Sequence, residues 1–329
     1  MRVLAGDIGG TNVRLQLIEF ERGGSQLIAE QRFDSGAYNG LLAILSDFLR
    51  MTGGPSQAMP DAACFGIAGP ITDTANGQVA RVTNLPWTVE SAAIARDLKI
   101  PRVRLINDFQ AIGYGIEALT PEDFVTLQAG DRQDRGTCAV IGAGTGLGQG
   151  LLVWQGDHYE SLPTEGGHVD FAPTDELQIE LLRYLSERYG RVSYERVLSG
   201  PGIVNLYSFF TTRGHPADEA LLKGEDPPAA ITTAGMKNSD AAAAASLRLF
   251  VKVYGAHTGN VALSYLATGG VFIAGGIAPK VLPALRDGSF IRAFADKGRM
   301  SALLGALPVY VIINERVGLV GAALAASRL

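Results

Sequence analysis

One layout occurs twice in this chain. Near the start, Val3-Leu4-Ala5 runs into D-I-G-G-T-N (Asp7 to Asn12). The alternating segment Val13 to Ile18 follows, and then a third extended segment, Leu27 to Phe33. From Thr137 the order restarts: Thr137 to Ile141, the turn G-A-G-T-G-L-G (Gly142 to Gly148), Gln149 to Trp154, then Tyr159 to Leu162. Identity between the two stretches is poor, but the plan is shared. A repeated supersecondary unit restricts topology more than any single motif does. It predicts two antiparallel meanders, each with a Gly/Thr-rich turn between its first two strands.

Helix and strand signals alternate after each meander, which favours mixed α/β sheets. Leu41 to Met51 has helical spacing and stops at Gly53-Gly54-Pro55; Val89 to Leu98 is a helix. Ala62 to Ile67 and Val103 to Ile106 are short buried strands, the second ending at Asn107-Asp108. Further helices are expected at about 175–189, 201–212 and 239–266, with Ser239-Asp240 placed to cap the last. Gly214 to Pro228 is polar and proline-rich and is read as a surface loop of no assigned role. Val271 to Ala274 and Pro308 to Ile313 are strands, a helix starts at Pro279, and Gly318 to Leu329 is a closing amphipathic helix.

With 329 residues, about two domains are expected, and 47% hydrophobic residues suffice for a large core. The net charge of −5 argues against broad nucleic-acid binding. The charge-free run Val253 to Pro279 is long enough to span a bilayer, but it contains Gly255, His257, Asn260, Gly269, Gly270, Gly275 and Gly276; it reads as a buried helix and strand. Cys64 and Cys138 sit in apolar runs and read as small buried hydrophobes in a reducing compartment. No secretory signal opens the sequence. The expected location is cytoplasmic, with neither membrane nor nucleic acid as partner.

The glycine turns carry the chemistry. In D-I-G-G-T-N, glycines let backbone approach a ligand, and successive N–H groups make an anion-binding concavity. Asp7 ends a strand, where one carboxylate suits a Mg²⁺ that keeps most of its waters and binds phosphates. Thr11 offers a hydroxyl to a phosphate oxygen. A plain type I′ or II′ hairpin is the alternative for this turn, and a tight hairpin for Gly142 to Gly148. The chain has no Gly-Lys dipeptide, hence no Walker A loop. The second turn does not fit G-x-G-x-x-G and is followed by a strand, so a dinucleotide fold is disfavoured. Thr145 and its neighbouring N–H groups suit a phosphate clamp. In V-F-I-A-G-G-I, Gly275-Gly276 would let a flat ring slide against bare backbone, or would simply pack strand on helix.

In L-I-N-D-F-Q-A, Asp108 can accept a proton from an attacking hydroxyl, while Asn107-Asp108 also suits a helix N-cap; both roles can coexist. T-E-G-G-H-V-D-F holds Glu165 and His168, S-Y-E-R-V-L-S-G holds Glu195, and T-N-L-P-W holds Asn84. Carboxylates, amides and a neutral imidazole suit the vicinal hydroxyls of a sugar. The plainer readings are an ion pair of Glu195 with Arg196 or Arg191, and a satisfied core histidine at 168.

Together these motifs resemble the actin, Hsp70 and sugar-kinase superfamily, in which two related α/β domains of actin-like (ribonuclease H-like) fold close over ATP around a cleft. The resemblance implies that Asp7, Gly9, Gly10, Thr11 and Asn12 meet the metal and phosphates from one side. Gly144, Thr145 and Gly146 would meet them from the other, and Gly275 and Gly276 would lie near the adenosine. It implies domains at 1–110 plus 315–329 and at 111–314.

The strings D-I-G-G-T-N, N-D-F-x-A, G-A-G-T-G-L-G, E-G-G-H-V-D-F-A-P, E-R-V-L-S-G-P-G-I-V-N-L-Y and G-G-V-F-I-A-G-G-I follow one another in the order found in the bacterial glucokinase family. That resemblance implies an ATP-dependent kinase acting on the 6-hydroxyl of D-glucose, with Mg²⁺ at Asp7, Asp108 as base, and Asn84, Asn107, Asp108, Glu165, His168 and Glu195 around the sugar. Another hexose (fructose, mannose or N-acetylmannosamine) is the alternative substrate, and a homodimer is the expected assembly. The neighbouring ROK sugar kinases and repressors share D-x-G-G-T and E-x-G-H elements, but there the histidine joins a cysteine cluster that binds zinc. This chain lacks such a cluster, so no structural zinc is expected. A repressor's helix-turn-helix domain has no room ahead of a loop that starts at residue 7.

Overall fold

The computed structural model describes residues 1–52 and 59–329; the predicted stop at Gly53-Gly54-Pro55 lies outside the described residues. The chain divides into two compact units, Met1–Thr120 with Gln155–Pro163 and Asn314–Leu329, and Pro121–Trp154 with Thr164–Ile313.

The first unit is built on β1 (Arg2–Ile8), β2 (Asn12–Glu21), β3 (Gly24–Asp34) and β4 (Ala62–Ile67). A small sheet follows, β5 (Ile71–Thr74), β6 (Gly77–Arg81) and β7 (Thr88–Glu90), and then β8 (Val103–Asn107). The main sheet runs β3-β2-β1-β4-β8: an antiparallel meander continued by two parallel strands. β4 is buried at every position, as an inner parallel strand covered on both faces must be. On one face, Phe33, Ile44, Phe48 and Phe65 form a core. On the other pack the helices Asp108–Gly115 and Val317–Ser327. These two helices touch through glycines. A Cβ on Gly321 would lie 1.8 Å from the Ala111 carbonyl oxygen, and one on Gly115 would lie 2.1 Å from that of Val317.

The second unit holds β9 (Phe124–Gln128), β10 (Cys138–Ala143) and β11 (Leu147–Gln155); β12 (His158–Thr164) follows in the chain, and β13 (Gly270–Ala274) and β14 (Val309–Ile312) complete the set. The order β11-β10-β13-β14 repeats that of β2-β1-β4-β8, one antiparallel pair and then two parallel ones, with β9 added antiparallel at the edge. The duplicated layout of the sequence is therefore a duplicated topology. The helices Glu176–Tyr189, Gly200–Thr212, Pro227–Lys237 and Ala241–Tyr265 form much of the second core.

Several sequence expectations change in detail. A helix, Pro227–Lys237, begins at the end of the expected 214–228 loop; Asp226 caps it and Pro227-Pro228 occupy its first turn, where a missing N–H costs nothing. The closing helix is buried nearly all round rather than amphipathic, because sheet and helix enclose it. Residues 88–90 are strand, so the helix expected from Val89 starts at Ser91. Val253 to Pro279 is the end of a buried helix and a buried strand, and among the described residues no helix is long and apolar enough to cross a membrane. Cys64 and Cys138 are buried free thiols, and burial pushes the Cys64 thiol up to about 12, which makes it inert.

Candidate active site

The candidate residues fall into two groups, one in each unit. In the first unit, β1, β4 and β8 are parallel neighbours in register Asp7↔Gly66↔Ile106 and Ile8↔Ile67↔Asn107. Asp7, the turn after Ile8, and Asn107-Asp108 thus emerge side by side at the carboxyl ends of three strands, the edge where open α/β sheets bind ligands. Gly66 keeps this edge tight, since a Cβ there would lie 2.8 Å from Ala111 Cβ.

The turn between β1 and β2 is not a type I′ or II′ hairpin. Those require positive φ, and none of residues 9 to 12 has it. Its glycines answer to crowding instead: a Cβ on Gly9 would lie 3.2 Å from Asn12 O, and one on Gly10 would lie 3.1 Å from Thr83 O and 3.4 Å from Asn84 Cβ. The Gly9 N–H donates to Asn12 O at 3.0 Å, and Ser35 Oγ donates to Gly9 O at 3.0 Å. Asn84 therefore reaches the turn from another segment, and it does so in the left-handed region at φ 65°, which Asn tolerates better than most residues. Asn12 is engaged already, its Oδ1 accepting from Arg32 Nε at 2.9 Å. The Thr11 side chain is exposed and without a hydrogen-bond partner among the described residues.

Burial raises the Asp7 carboxyl, and the Arg14 charge opposes this. No hydrogen bond reaches the carboxylate among the described residues. Gly318, at the start of the helix Val317–Ser327, faces it, and a Cβ there would lie 4.0 Å from Asp7 Oδ2. A half-buried carboxylate with no hydrogen-bond partner among the described residues fits one coordination position of a divalent cation. Among the described residues no cluster of His, Cys, Asp and Glu could hold a metal alone, so phosphates and waters must complete such a shell. Asp108 opens the helix Asp108–Gly115, and the Phe109 N–H donates to both Asn107 Oδ1 and Asp108 Oδ1, each at 2.9 Å. The cap anticipated from the sequence exists and pins Asp108 at the strand end.

In the second unit, the loop Gly142–Gly148 again lacks positive φ. Gly144 N–H donates to Gly146 O at 2.8 Å, a Cβ on Gly144 would meet nothing within 4 Å, and Thr145 is exposed. The helix Gly200–Thr212 begins against this loop, with the Gly200 N–H donating to Gly144 O at 2.8 Å and Ser199 capping its first turn. A helix N-terminus adds positive potential where phosphates would lie. Gly275 adjoins the loop in the left-handed region at φ 82°, where a Cβ would lie 2.4 Å from Ala143 O; Gly276 faces open space.

Glu195 does not pair with Arg191 or Arg196. Arg191 pairs with Asp170 at 2.7 Å, and the Arg196 guanidinium lies 4.2 Å from the Tyr189 ring centroid. Instead Glu195 Oε2 accepts from the Leu147 N–H at 3.0 Å, inside the glycine loop, and Gly146 leaves it room: a Cβ there would lie 2.5 Å from Oε2. Glu195 Oε1 lies 3.8 Å from His168 Nδ1, and His168 Nε2 lies 3.9 Å from Glu165 Oε2. His168 is a half-exposed histidine standing between two carboxylates rather than a core one. The Gly166-Gly167 turn presses on the loop, for a Cβ on Gly167 would lie 1.8 Å from Leu147 O.

Two supports went unnoticed in the sequence. Tyr254, deep in the helix Ala241–Tyr265, accepts from Ala143 N–H at 3.3 Å and donates to Ile141 O at 3.4 Å. Gln149 Nε2 donates to Tyr265 Oη at 2.7 Å while its backbone carbonyl accepts from Thr164 Oγ1. Mid-helix aromatics look like ordinary core, and the hydroxyl partner more than a hundred residues away has no local signal.

Two sheets of one plan, each carrying a glycine hairpin at the carboxyl ends of its strands, with carboxylates gathered at both, define a phosphotransferase of the actin-like ATPase fold. A solved ROK-family glucokinase from Streptomyces griseus, in complex with glucose and AMPPNP, shares that fold (TM-score 0.64, 18% identity, 100% of each chain covered). A family model described as glucokinase matches residues 4–329. A glucokinase of Nostoc sp. (strain PCC 7120) is 45% identical over 99% of both chains. The crystal structure of a glucokinase from an Antarctic psychrotroph superposes with TM-score 0.86 at 31% identity, over 100% of this chain and 99% of that one. The chain belongs to the glucokinase family.

Proposed function

We propose that this chain transfers the γ-phosphoryl group of ATP to the 6-hydroxyl of D-glucose. Support comes first from the second unit: the polar cluster suited to a sugar, Glu165-His168-Glu195, is bonded through Leu147 to the glycine loop suited to phosphates. Acceptor and donor are thereby handled by one rigid assembly. Family membership over nearly the full length supports the same reading.

In this mechanism Asp108 accepts the proton of the 6-hydroxyl as that oxygen attacks the γ-phosphorus in line, and the bond from the γ-phosphorus to the bridging oxygen breaks to release ADP. Asn84, Asn107, Glu165, His168 and Glu195 orient the ring through directional hydrogen bonds. The Gly9–Thr11 and Gly144–Gly146 turns hold the phosphates through backbone N–H groups and the Thr11 and Thr145 hydroxyls. Gly275-Gly276 leaves room for the adenosine. Asp7 would hold Mg²⁺, which neutralises charge on the phosphates when bound. Phosphoryl transfer needs positioning and charge stabilisation more than covalent chemistry, so no nucleophilic Ser or Cys is required. A homodimer in the cytoplasm completes the proposal; sedimentation tests the assembly.

The deciding experiment is a coupled ADP-release assay with ATP and Mg²⁺ across glucose, fructose, mannose and N-acetylmannosamine. Glucose is expected to give the highest kcat/KM. Asp108→Asn should lower turnover at least ~10²-fold while glucose binding survives, the scale of a lost general base. Near-normal turnover in that variant removes Asp108 from the role.

A further inference from the structure

The second unit contains a pocket that shares no residue with the site above. Its volume is about 360 Å³, and Asp175, Phe210, Arg213, His215, Arg248 and Lys252 line it. Arg248 and Lys252 stand four residues apart on the helix Ala241–Tyr265 and are both exposed. Like charges at that spacing repel and destabilise a helix. Two of the three cations have partners: Lys252 Nζ lies 2.7 Å from Asp175 Oδ2, and Arg213 pairs with Glu180. Arg248 has no carboxylate partner among the described residues. The imidazole of His215 meets the Phe210 ring edge-on, centroids 5.0 Å apart, and makes no hydrogen bond among the described residues. An acidic chain has here gathered three cations, one uncompensated, around a concave surface with an aromatic wall.

We propose that this pocket binds a small molecule bearing a phosphate group. Two guanidinium forks and an ammonium match the three terminal oxygens of a phosphomonoester better than the two of a carboxylate. The phosphate's charge of nearly −2 at neutral pH would give Arg248 the anion it lacks, beside a Lys252 already paired with Asp175. Phe210 and His215 then offer a face to the organic part. The phosphate could be free or carried on a metabolite; inorganic phosphate and glucose 6-phosphate serve as separate probes.

The test is calorimetric titration of each probe into the full chain at constant ionic strength, run in parallel on wild type and Arg248→Gln, so that binding at the phosphate loops, which the substitution does not touch, is common to both and only the difference reports the pocket. Saturable binding is expected in the wild type, weakened at least ~10-fold in Arg248→Gln, the scale of one lost charge-assisted contact. It should be largely retained in Arg248→Lys. Tighter binding of glucose 6-phosphate than of phosphate would assign the organic face; equal binding would restrict the site to the phosphate group. Arg248→Gln should keep wild-type glucose turnover, and a Tm no lower than the wild type's, without added phosphate, so failure here leaves the kinase reading untouched. No saturable binding by the wild type, or equal binding by wild type and Arg248→Gln, overturns the proposal.

Discussion

The two glycine hairpins occupy equivalent places in sheets of the same order, and their chemistry is supplied in opposite ways. The β1–β2 turn has an acid of its own in Asp7, with glycines crowded by Thr83 and Asn84. The β10–β11 loop carries no acid; it takes Glu195 from a segment 48 residues away and binds it with a backbone N–H. The two copies share a backbone plan, and each draws its acid from a different part of the chain.

The largest effect that would sharpen this comparison is at Asp7. Asp7→Asn should lower turnover roughly 10²-fold or more, the several-kcal/mol worth of a cation at a phosphoryl oxygen. It should also raise the Tm of the free protein at neutral pH, since a carboxyl whose folded pKa is raised costs stability once ionised. A variant that keeps turnover breaks the assignment of the metal to the first hairpin. Next come the glycines of the second. Gly167→Ala should cost about 1–3 kcal/mol in chemical denaturation, because its Cβ collides with backbone. Gly144→Ala should leave stability unchanged and weaken ATP instead; a stability loss equal to that of Gly167→Ala would erase the distinction.

Glu195→Gln tests the borrowed acid. The amide oxygen can still accept from Leu147, so Tm should hold while glucose KM rises about tenfold, the scale of one charged hydrogen bond. The smallest effect concerns acid. His257 is buried, stacked on Tyr194 at 3.7 Å, and desolvation together with the Lys297 charge lowers it to about 3. The unfolded chain binds that proton below about pH 6.5 and the native state does not, so stability falls as pH drops through the window from 6.5 to 3. Between pH 7 and 6 the loss is roughly 0.7 kcal/mol by that linkage, and His257→Phe should abolish it. Asp7 has the opposite sign, its cost being relieved by protonation. Urea titrations of His257→Phe and Asp7→Asn at pH 7 and 5 separate the two.

Much of this was legible in the primary structure. Both meanders, the strand-end Asp7 and Asp108, the E-G-G-H turn and Gly275-Gly276 are local patterns, and local patterns announce themselves through periodicity and glycine. The helix Pro227–Lys237 did not, because a start of Asp-Pro-Pro looks like a loop until the cap is seen. The Glu195–Leu147 bond and the Tyr254 brace were also hidden, since each joins segments distant in the chain and depends on backbone donors that no residue type reveals. The reason for glycine differed as well: at Gly9 and Gly10 backbone and Cβ atoms approach closely, and at Gly146 the Glu195 carboxylate does, with no left-handed φ at any of the three.

The glycine-on-glycine contact of Gly115 and Gly321 has a consequence for biosynthesis. The helix Val317–Ser327 covers part of one face of a sheet whose strands are all translated more than two hundred residues earlier. During synthesis the N-terminal sheet must wait, with the part of that apolar face beside the helix Asp108–Gly115 uncovered, while the later-made unit can collapse first. The earliest part of the molecule to leave the ribosome is then the last to reach its native packing, and that interval is when a chaperone would have something to hold.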